Sequence, residues 1–205
     1  CISPGARNSP LTFAFTENSK IKCFSHVDER SSAFFALGLA KSTQKPVVLI
    51  STSGTAPANF YPAVIEASLS RVPLIILSAD RPPYLIGTGA NQTINQQNLY
   101  GSHVCNFTDV GLPQNNNESL KDHLFTAFQH SSGLKFEEPP GPVHLNFPFD
   151  EPLMPEKIEA IIFPSITIKN LENPEINFSI PKLEVAKTPL IIVGPMEGNT
   201  HRVSE

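Results

Sequence analysis

The residues with chemistry to offer lie in four short segments, SPGARNSP, SHVDERSS, STSGTAPAN and SADRPPYLIGTGANQ. Together they supply Arg7, Glu29, Gly54, Thr55, Arg81, Asn91 and Gln92. That is one acid, two guanidinium groups, hydroxyl and amide donors, and a glycine that lets backbone approach a ligand closely. Two arginines suit a carboxylate-bearing substrate, because the planar guanidinium fork engages both oxygens. In HVDERSSAFF, residues 26 to 35, an acid pair and an arginine separate the apolar run IKCF from the helical pattern AFFALGLA. A carboxylate where a strand hands over to a helix is either a cap or a working group. Asp28 reads as the N-cap and Arg30 as a surface ion-pair partner. For Glu29 the residues alone leave both roles open.

Each of these segments leaves an apolar run, and the elements that must hold them alternate. Residues 8 to 20 read as a helix with Pro10 in its first turn, where a missing N–H is harmless. IKCFS, 21 to 25, reads as a strand. Residues 29 to 43 read as a helix, with Ala33, Phe34, Leu37, Ala40 and Lys41 recurring at three- and four-residue steps. PVVLIST, 46 to 52, is a continuous apolar run of the kind a strand buried on both faces requires. SGTAPANFYPAVIEASLS opens a helix through a small-residue turn, and PLIILSAD, from Pro73, is a second buried strand. Residues 81 to 97 read as a loop or lid, and VCNFTDV, 104 to 110, as a weaker strand. Residues 118 to 130 read as a helix with Leu120, Leu124, Ala127 and Phe128 on one face. PVHLNF, 142 to 147, closes the set.

Strand and helix in alternation with short connections predict a parallel sheet covered on both sides. In such sheets the ligand crevice lies beyond the carboxyl ends of the strands, which is where the four segments fall. The predicted organisation is one α/β domain over residues 1–150, a proline-rich linker over 151–187, and the first strand of a second α/β unit within 188–205. The chain starts without Met on what reads as the tail of a strand and stops soon after another, so a piece of a larger protein is expected.

Composition narrows the function classes. Of the 205 residues, 40% are apolar and 17% charged, enough for a packed core. The formal charge is −4 with no basic stripe, so the footprint of a nucleic-acid binder is missing. No apolar run approaches the roughly 20 residues needed to span a bilayer. Cys1, Cys23 and Cys105 are widely spaced without a CxxC and read as free thiols. His26, His103 and His144 lack ligand spacing and read as structural, and His123 and His130 as solvent-facing; no metal site is expected. GTG at 87 to 89 is a poor dinucleotide fingerprint, and neither a GxSxG elbow nor a P-loop is present. Pattern alone stops at a ligand-binding α/β domain with an anion-friendly crevice and one candidate carboxylate.

The motifs PGARNSPL, HVDERSSAFFALGLAK, STSGTAPANFYPAVIEA, LSADRPPYLIGTGANQTI and VHLNFPFDEPL carry more than that. In this order and spacing they closely resemble the N-terminal part of the 2-succinyl-5-enolpyruvyl-6-hydroxy-3-cyclohexene-1-carboxylate (SEPHCHC) synthases, the thiamine-diphosphate enzymes of menaquinone (vitamin K2) biosynthesis. The resemblance covers about residues 1 to 155, and ADRPP with GANQ is its most specific part. It implies a three-layer, parallel-sheet pyrimidine-binding domain of a cytoplasmic enzyme. Two further domains would follow, the last holding Mg²⁺ and the cofactor's diphosphate through a GD…N motif that this chain lacks. Glu29 matches the family's cofactor-activating glutamate, which hydrogen-bonds a ring nitrogen of the aminopyrimidine. Gly54 and Thr55 would line the pyrimidine pocket. Arg7, Arg81, Asn91 and Gln92 would lie near the carboxylate and hydroxyls of isochorismate, the acceptor for the carbanion derived from 2-oxoglutarate. The family usually has serine where this chain has Ala6, so a hydroxyl contact is lost there or supplied elsewhere. The resemblance also implies a second subunit facing the pyrimidine domain, and an inactive fragment when this chain stands alone. The alternatives are the same domain of another thiamine-diphosphate decarboxylase or synthase, and a non-catalytic α/β binding module.

Overall fold

Runs of Val, Ile and Leu open the first two strands, because a strand flanked by neighbours and covered on both faces buries most of its side chains. A computed structural model describes residues 1–113, 118–134 and 138–154. The strands are β1 Val47–Ser51, β2 Leu74–Asp80, β3 Asn106–Asp109 and β4 Pro142–Pro148. They pair in parallel in the order β1-β2-β4-β3. The helices are α1 Ser9–Thr16, α2 Glu29–Thr43, α3 Thr55–Ala58, α4 Tyr61–Leu69 and α5 Glu118–Ser131.

Alternation along the strands sorts the core into two layers. Val47, Leu49, Leu74 and Ile76 face one way and pack with Ala33, Ala36 and Ala40 of α2 and Ala63, Val64 and Ala67 of α4. Val48, Ile50, Ile75, Leu77, Val143 and Leu145 face the other way and pack with Leu11 of α1 and Ala127 of α5. The expected three-layer parallel α/β architecture is therefore what the described residues form. The linker from residue 155 onward and the strand expected at 188 to 195 lie outside the described residues.

Three local expectations need correction. Residues 21 to 25 do not form a strand: Ser25 makes only an isolated bridge with Ile2, which also bridges Ile50 of β1. The neighbouring segment, Cys1–Ser3, offers a single rung, Ile2 N–H to Phe24 O at 2.8 Å and His26 N–H to Ile2 O at 3.0 Å. The first helix stops at Thr16, because the Asn18 side chain accepts from Lys20 N–H and its carbonyl from Ile21 N–H, which turns the chain. The helix after β1 is two pieces, since Pro62 has no N–H to continue the ladder from α3 into α4.

The buried faces of α2 and α5 also differ from the pattern. On α2 they are Ser32, Ala33, Ala36 and Ala40, while Phe34 stays 45% exposed. Small residues let that helix sit close to the sheet. On α5, Ala127, His130 and Ser131 are buried and Leu124 is exposed. His130 thus does not face solvent; its Nδ1 lies 2.7 Å from Glu138. His123 is half-buried.

Candidate active site

The carboxyl ends of the strands gather the candidate residues as the topology requires. Reading across that edge, Ser25, Ile2, β1, β2, β4 and β3 are successive neighbours. Glu29, Arg7, Gly54 and Arg81 follow the first four of these in turn. An apolar cavity of about 280 Å³ lies further along, lined by Pro10, Leu11, Val110, Leu112, Phe147 and Phe149. It is a separate feature from the segments that carry Glu29 and Gly54.

Asp28 and Glu29 divide the two roles that were open. Asp28 has extended backbone, and its Oδ1 accepts from Ser31 N–H at 2.7 Å, so it is the N-cap of α2. The Ser31 side chain first, and its backbone N–H second, hold the Asp28 carboxyl below the usual carboxylate range. Glu29 begins the helix, is half-buried, and has no hydrogen bond or ion pair to any described residue. Its carboxylate is left available at the positive end of α2.

Gly54 closes the turn after β1 with φ +81° and ψ −135°, a conformation that needs glycine. An added Cβ there would sit 2.8 Å from Gln92 Cγ and 3.0 Å from Gln92 O. The peptide unit joining Ser53 to Gly54 is held at both ends. Gln92 Nε2 donates to Ser53 O at 3.1 Å, and Gly54 N–H donates to Gln96 Oε1 at 2.9 Å. Ser53 Oγ donates back to Gln92 O at 3.0 Å. Thr55 is exposed beside this turn.

The arginines are anchored differently. Arg7 is 4% exposed; its Nη1 donates to Phe149 O at 3.0 Å and its Nη2 to Glu151 at 3.3 Å. Arg81 is half-buried, and its backbone N–H donates to Asp80 Oδ1 at 2.7 Å. The Nε of each is buried without a partner among the described residues, leaving a donor for something else. Asn91 and Gln92 are exposed, but the Gln92 amide is engaged with Ser53 as described. The loop after β2 is pinned near its start by Tyr84 Oη to Asp150 at 2.9 Å.

Behind these residues lies a buried polar web that sequence reasoning missed. Ser78, Asp80, His144 and Asn146 all point from β2 and β4 toward the α2/α4 layer, by the same alternation that places Leu74 and Ile76 there. Ser78 Oγ donates to Asn146 Oδ1 at 2.8 Å, and Asn146 Nδ2 donates to Asp80 Oδ2 at 2.9 Å. Gln96 Nε2 donates to Asn146 Oδ1 at 2.9 Å and to Ala79 O at 3.2 Å. Because the Ser78 proton goes to Asn146, the 2.7 Å contact between Ser78 Oγ and His144 Nε2 requires the histidine to donate. His144 is then the neutral Nε2–H tautomer, its pKa pushed down to about 3 by burial. Asp80 goes the other way, up to about 6, chiefly by burial, with the Asn146 hydrogen bond opposing and the Asp109 charge adding. His144 is structural, as expected. The signal available in sequence was polar residues, Ser78, Asp80, His144 and Asn146, at alternate positions inside two otherwise apolar runs.

The residues fit the pyrimidine end of thiamine diphosphate. Glu29 offers an unpaired carboxylate at the head of α2, while at Gly54 the space a side chain would take is filled by Gln92. Among the described residues no cluster of His, Cys, Asp and Glu could hold a metal ion, and no helix is long and apolar enough to cross a membrane.

Residues 1–99 match the family described as thiamine pyrophosphate enzyme, N-terminal TPP binding domain. The 2-succinyl-5-enolpyruvyl-6-hydroxy-3-cyclohexene-1-carboxylate synthase of Listeria innocua is 54% identical over 157 residues, covering 75% of this chain and 26% of that protein. The synthase of Haloquadratum walsbyi is 45% identical over 213 residues, covering 96% and 34%. That of Chlorobium phaeobacteroides is 42% identical over 221 residues, covering 98% and 37%. The chain thus spans about a quarter to a third of the length of the curated relatives it matches. The recognition drawn from the motifs is borne out.

Proposed function

We propose that this chain, which resembles the N-terminal part of thiamine-diphosphate enzymes along most of its length, is the pyrimidine-binding part of a SEPHCHC synthase. The complete protein would decarboxylate 2-oxoglutarate and join the resulting carbanion to isochorismate in menaquinone biosynthesis. Thiamine diphosphate, when bound, supplies the carbanion chemistry, with Mg²⁺ held by the part of the enzyme that follows. Glu29 sits at the start of α2 with its carboxylate unpaired, and would hold the proton shared with the pyrimidine ring. Gly54 and Thr55 shape the wall of that pocket. Arg7 and Arg81, with their unpartnered Nε atoms, orient the carboxylate of the acceptor, and Asn91 and Gln92 lie on the loop that covers it. A cytoplasmic location and a second subunit completing the site belong to the same reading, and light scattering on the full-length protein tests the latter.

The observation that carries this reading is the division of labour at the head of α2, one acid capping and its neighbour unengaged. Glu29→Gln in the full-length protein should lower kcat by roughly 10²- to 10⁴-fold with the melting temperature nearly unchanged. A rate equal to wild type would remove Glu29 from the chemistry and favour a binding module. Pyruvate accepted in place of 2-oxoglutarate would move the protein to another thiamine-diphosphate synthase.

A further inference from the structure

Gln96 is 1% exposed, yet its side chain has a partner for each kind of hydrogen-bonding group it carries. The carbonyl oxygen accepts from Gly54 N–H, and the amino group donates to Ala79 O and to Asn146 Oδ1. Rotating the amide by a half-turn would set an amino group against the Gly54 N–H and an oxygen against two oxygens. The orientation is therefore fixed, and only a carboxamide supplies one acceptor and two donors here. An ionised Glu would accept only, and Met would do neither.

The partners of Gln96 belong to different strands at the carboxyl edge of the sheet, Gly54 just after β1, Ala79 in β2 and Asn146 in β4. Gly54 is the turn that would receive the pyrimidine. Asn146 leads to Asp80, whose Oδ1 holds the Arg81 N–H. A continuous chain of hydrogen bonds, buried as far as Asp80 and half-buried at its last link, thus runs from the Gly54 turn through Gln96, Asn146 and Asp80 to Arg81. Gln92, four residues before Gln96 on the same loop, grips the other end of the Ser53–Gly54 peptide. The Gly54 peptide is locked between them, and its N–H points at Gln96 rather than at a ligand.

We propose that Gln96 is a positioning residue that couples the Gly54 turn to the Asp80–Arg81 corner, so that the cofactor side and the acceptor side of the crevice are held as one unit. It touches neither ligand; it acts through Gly54 and, by way of Asn146 and Asp80, through Arg81. The assignment of the two sides rests on the reading under Proposed function, but the coupling itself is a property of this chain.

Hydrogen exchange resolved at single amides of the full-length protein tests the coupling without any turnover. In Gln96→Met the amides of Gly54 and Arg81 should both exchange about tenfold faster or more, from the loss of buried hydrogen bonds, while Ile76 and Leu145 in the core keep their protection. Faster exchange at Gly54 with Arg81 unchanged overturns the coupling, and so does no change at either. Should Gln96→Met not fold, the wild-type protein still decides. Its Gln96 carboxamide protons should exchange at least about tenfold more slowly than those of exposed Asn98, and equal rates overturn the lock. Titration with thiamine diphosphate and Mg²⁺ separates the two proposals. No binding by wild type sinks the functional reading and leaves the exchange result standing. Binding by wild type with the same Kd in Gln96→Met overturns the role of Gln96 in holding the pocket.

Discussion

Strands β2 and β4 each contain two regions that are equally buried and physically opposite. Toward their amino ends they present Leu74, Ile76 and Val143, every one fully buried and apolar. Toward their carboxyl ends the positions facing α2 and α4 are Ser78, Asp80 and Asn146, exposed by no more than 3% and all polar, while Leu77, Ala79, Leu145 and Phe147 on the opposite face stay apolar. The first region stabilises by removing apolar surface from water, which is non-directional. The second gains little net stability per hydrogen bond, but each bond fixes an orientation, and breaking one leaves a stranded polar group. The body of the sheet therefore holds the fold, and its carboxyl edge holds the geometry of the crevice. His144 sits at the boundary, its ring packed at 4.8 Å on Tyr100 while its Nε2 reaches Ser78.

The largest expected effect belongs to the body. Leu145→Ala should cost about 3 kcal/mol through the cavity it opens, read as a lower urea midpoint, with thiamine diphosphate affinity unchanged in the folded fraction. A matched loss of affinity would mean that body and edge are not separable. Asn146→Leu should cost less, about 2 kcal/mol, because it strands the Gln96 and Ser78 donors and the Asp80 acceptor. It should nevertheless weaken cofactor binding, which Leu145→Ala does not. A neutral Asn146→Leu would show that the web is dispensable.

A smaller effect appears on titration, because two groups pull in opposite directions. His144 has a folded pKa near 3 against an ordinary 6.5, so its contribution to stability is present above 6.5 and is lost as pH falls toward 3. Asp80 has a folded pKa near 6 against 3.8, so its contribution is complete below 3.8 and is lost as pH rises through 6. Between these limits the two slopes oppose each other and stability should change little. In His144→Phe, with the histidine slope removed, unfolding free energy should rise as pH falls from about 6 to 4 relative to wild type. Denaturant unfolding across that range, with the same slope in both proteins, would refute the assignment to these two residues.

The smallest effects sharpen the contrast at the head of α2. Asp28→Ala should lower the melting temperature measurably as a lost cap. Glu29→Gln should lower it only slightly, as a lost first-turn charge. Activity of the full-length protein should rank the two substitutions in the reverse order. The same ranking in thermal stability and in rate would make Glu29 a helix-end charge and nothing more.

Much of this was legible in the residues. The apolar-rich runs at 47–51, 74–80 and 142–148 lie within a residue or so of the predicted strands, because a parallel strand buried on both faces is dominated by apolar residues. Asp28 and Glu29 were placed at the start of α2 because a capping acid before a periodic apolar pattern has one local reading. IKCFS failed for a reason no local pattern contains: a strand needs a partner, and its neighbour supplies one rung. His130 was read as exposed because its position on a helix does not say what the helix covers.

The amino-acid order by itself determined the kind of layers, the glycine that the turn at residue 54 demands, and the sheet edge that Arg7, Glu29, Gly54 and Arg81 follow. These follow from short-range sterics and periodicity, which act within a few residues. Strand order, the neutral tautomer of His144, and the joining of Gln96 to residues 42 positions before it and 50 after it were decided only in the folded molecule. A buried hydrogen bond is specified by distance and angle in space, and those exist only once the distant strands have paired.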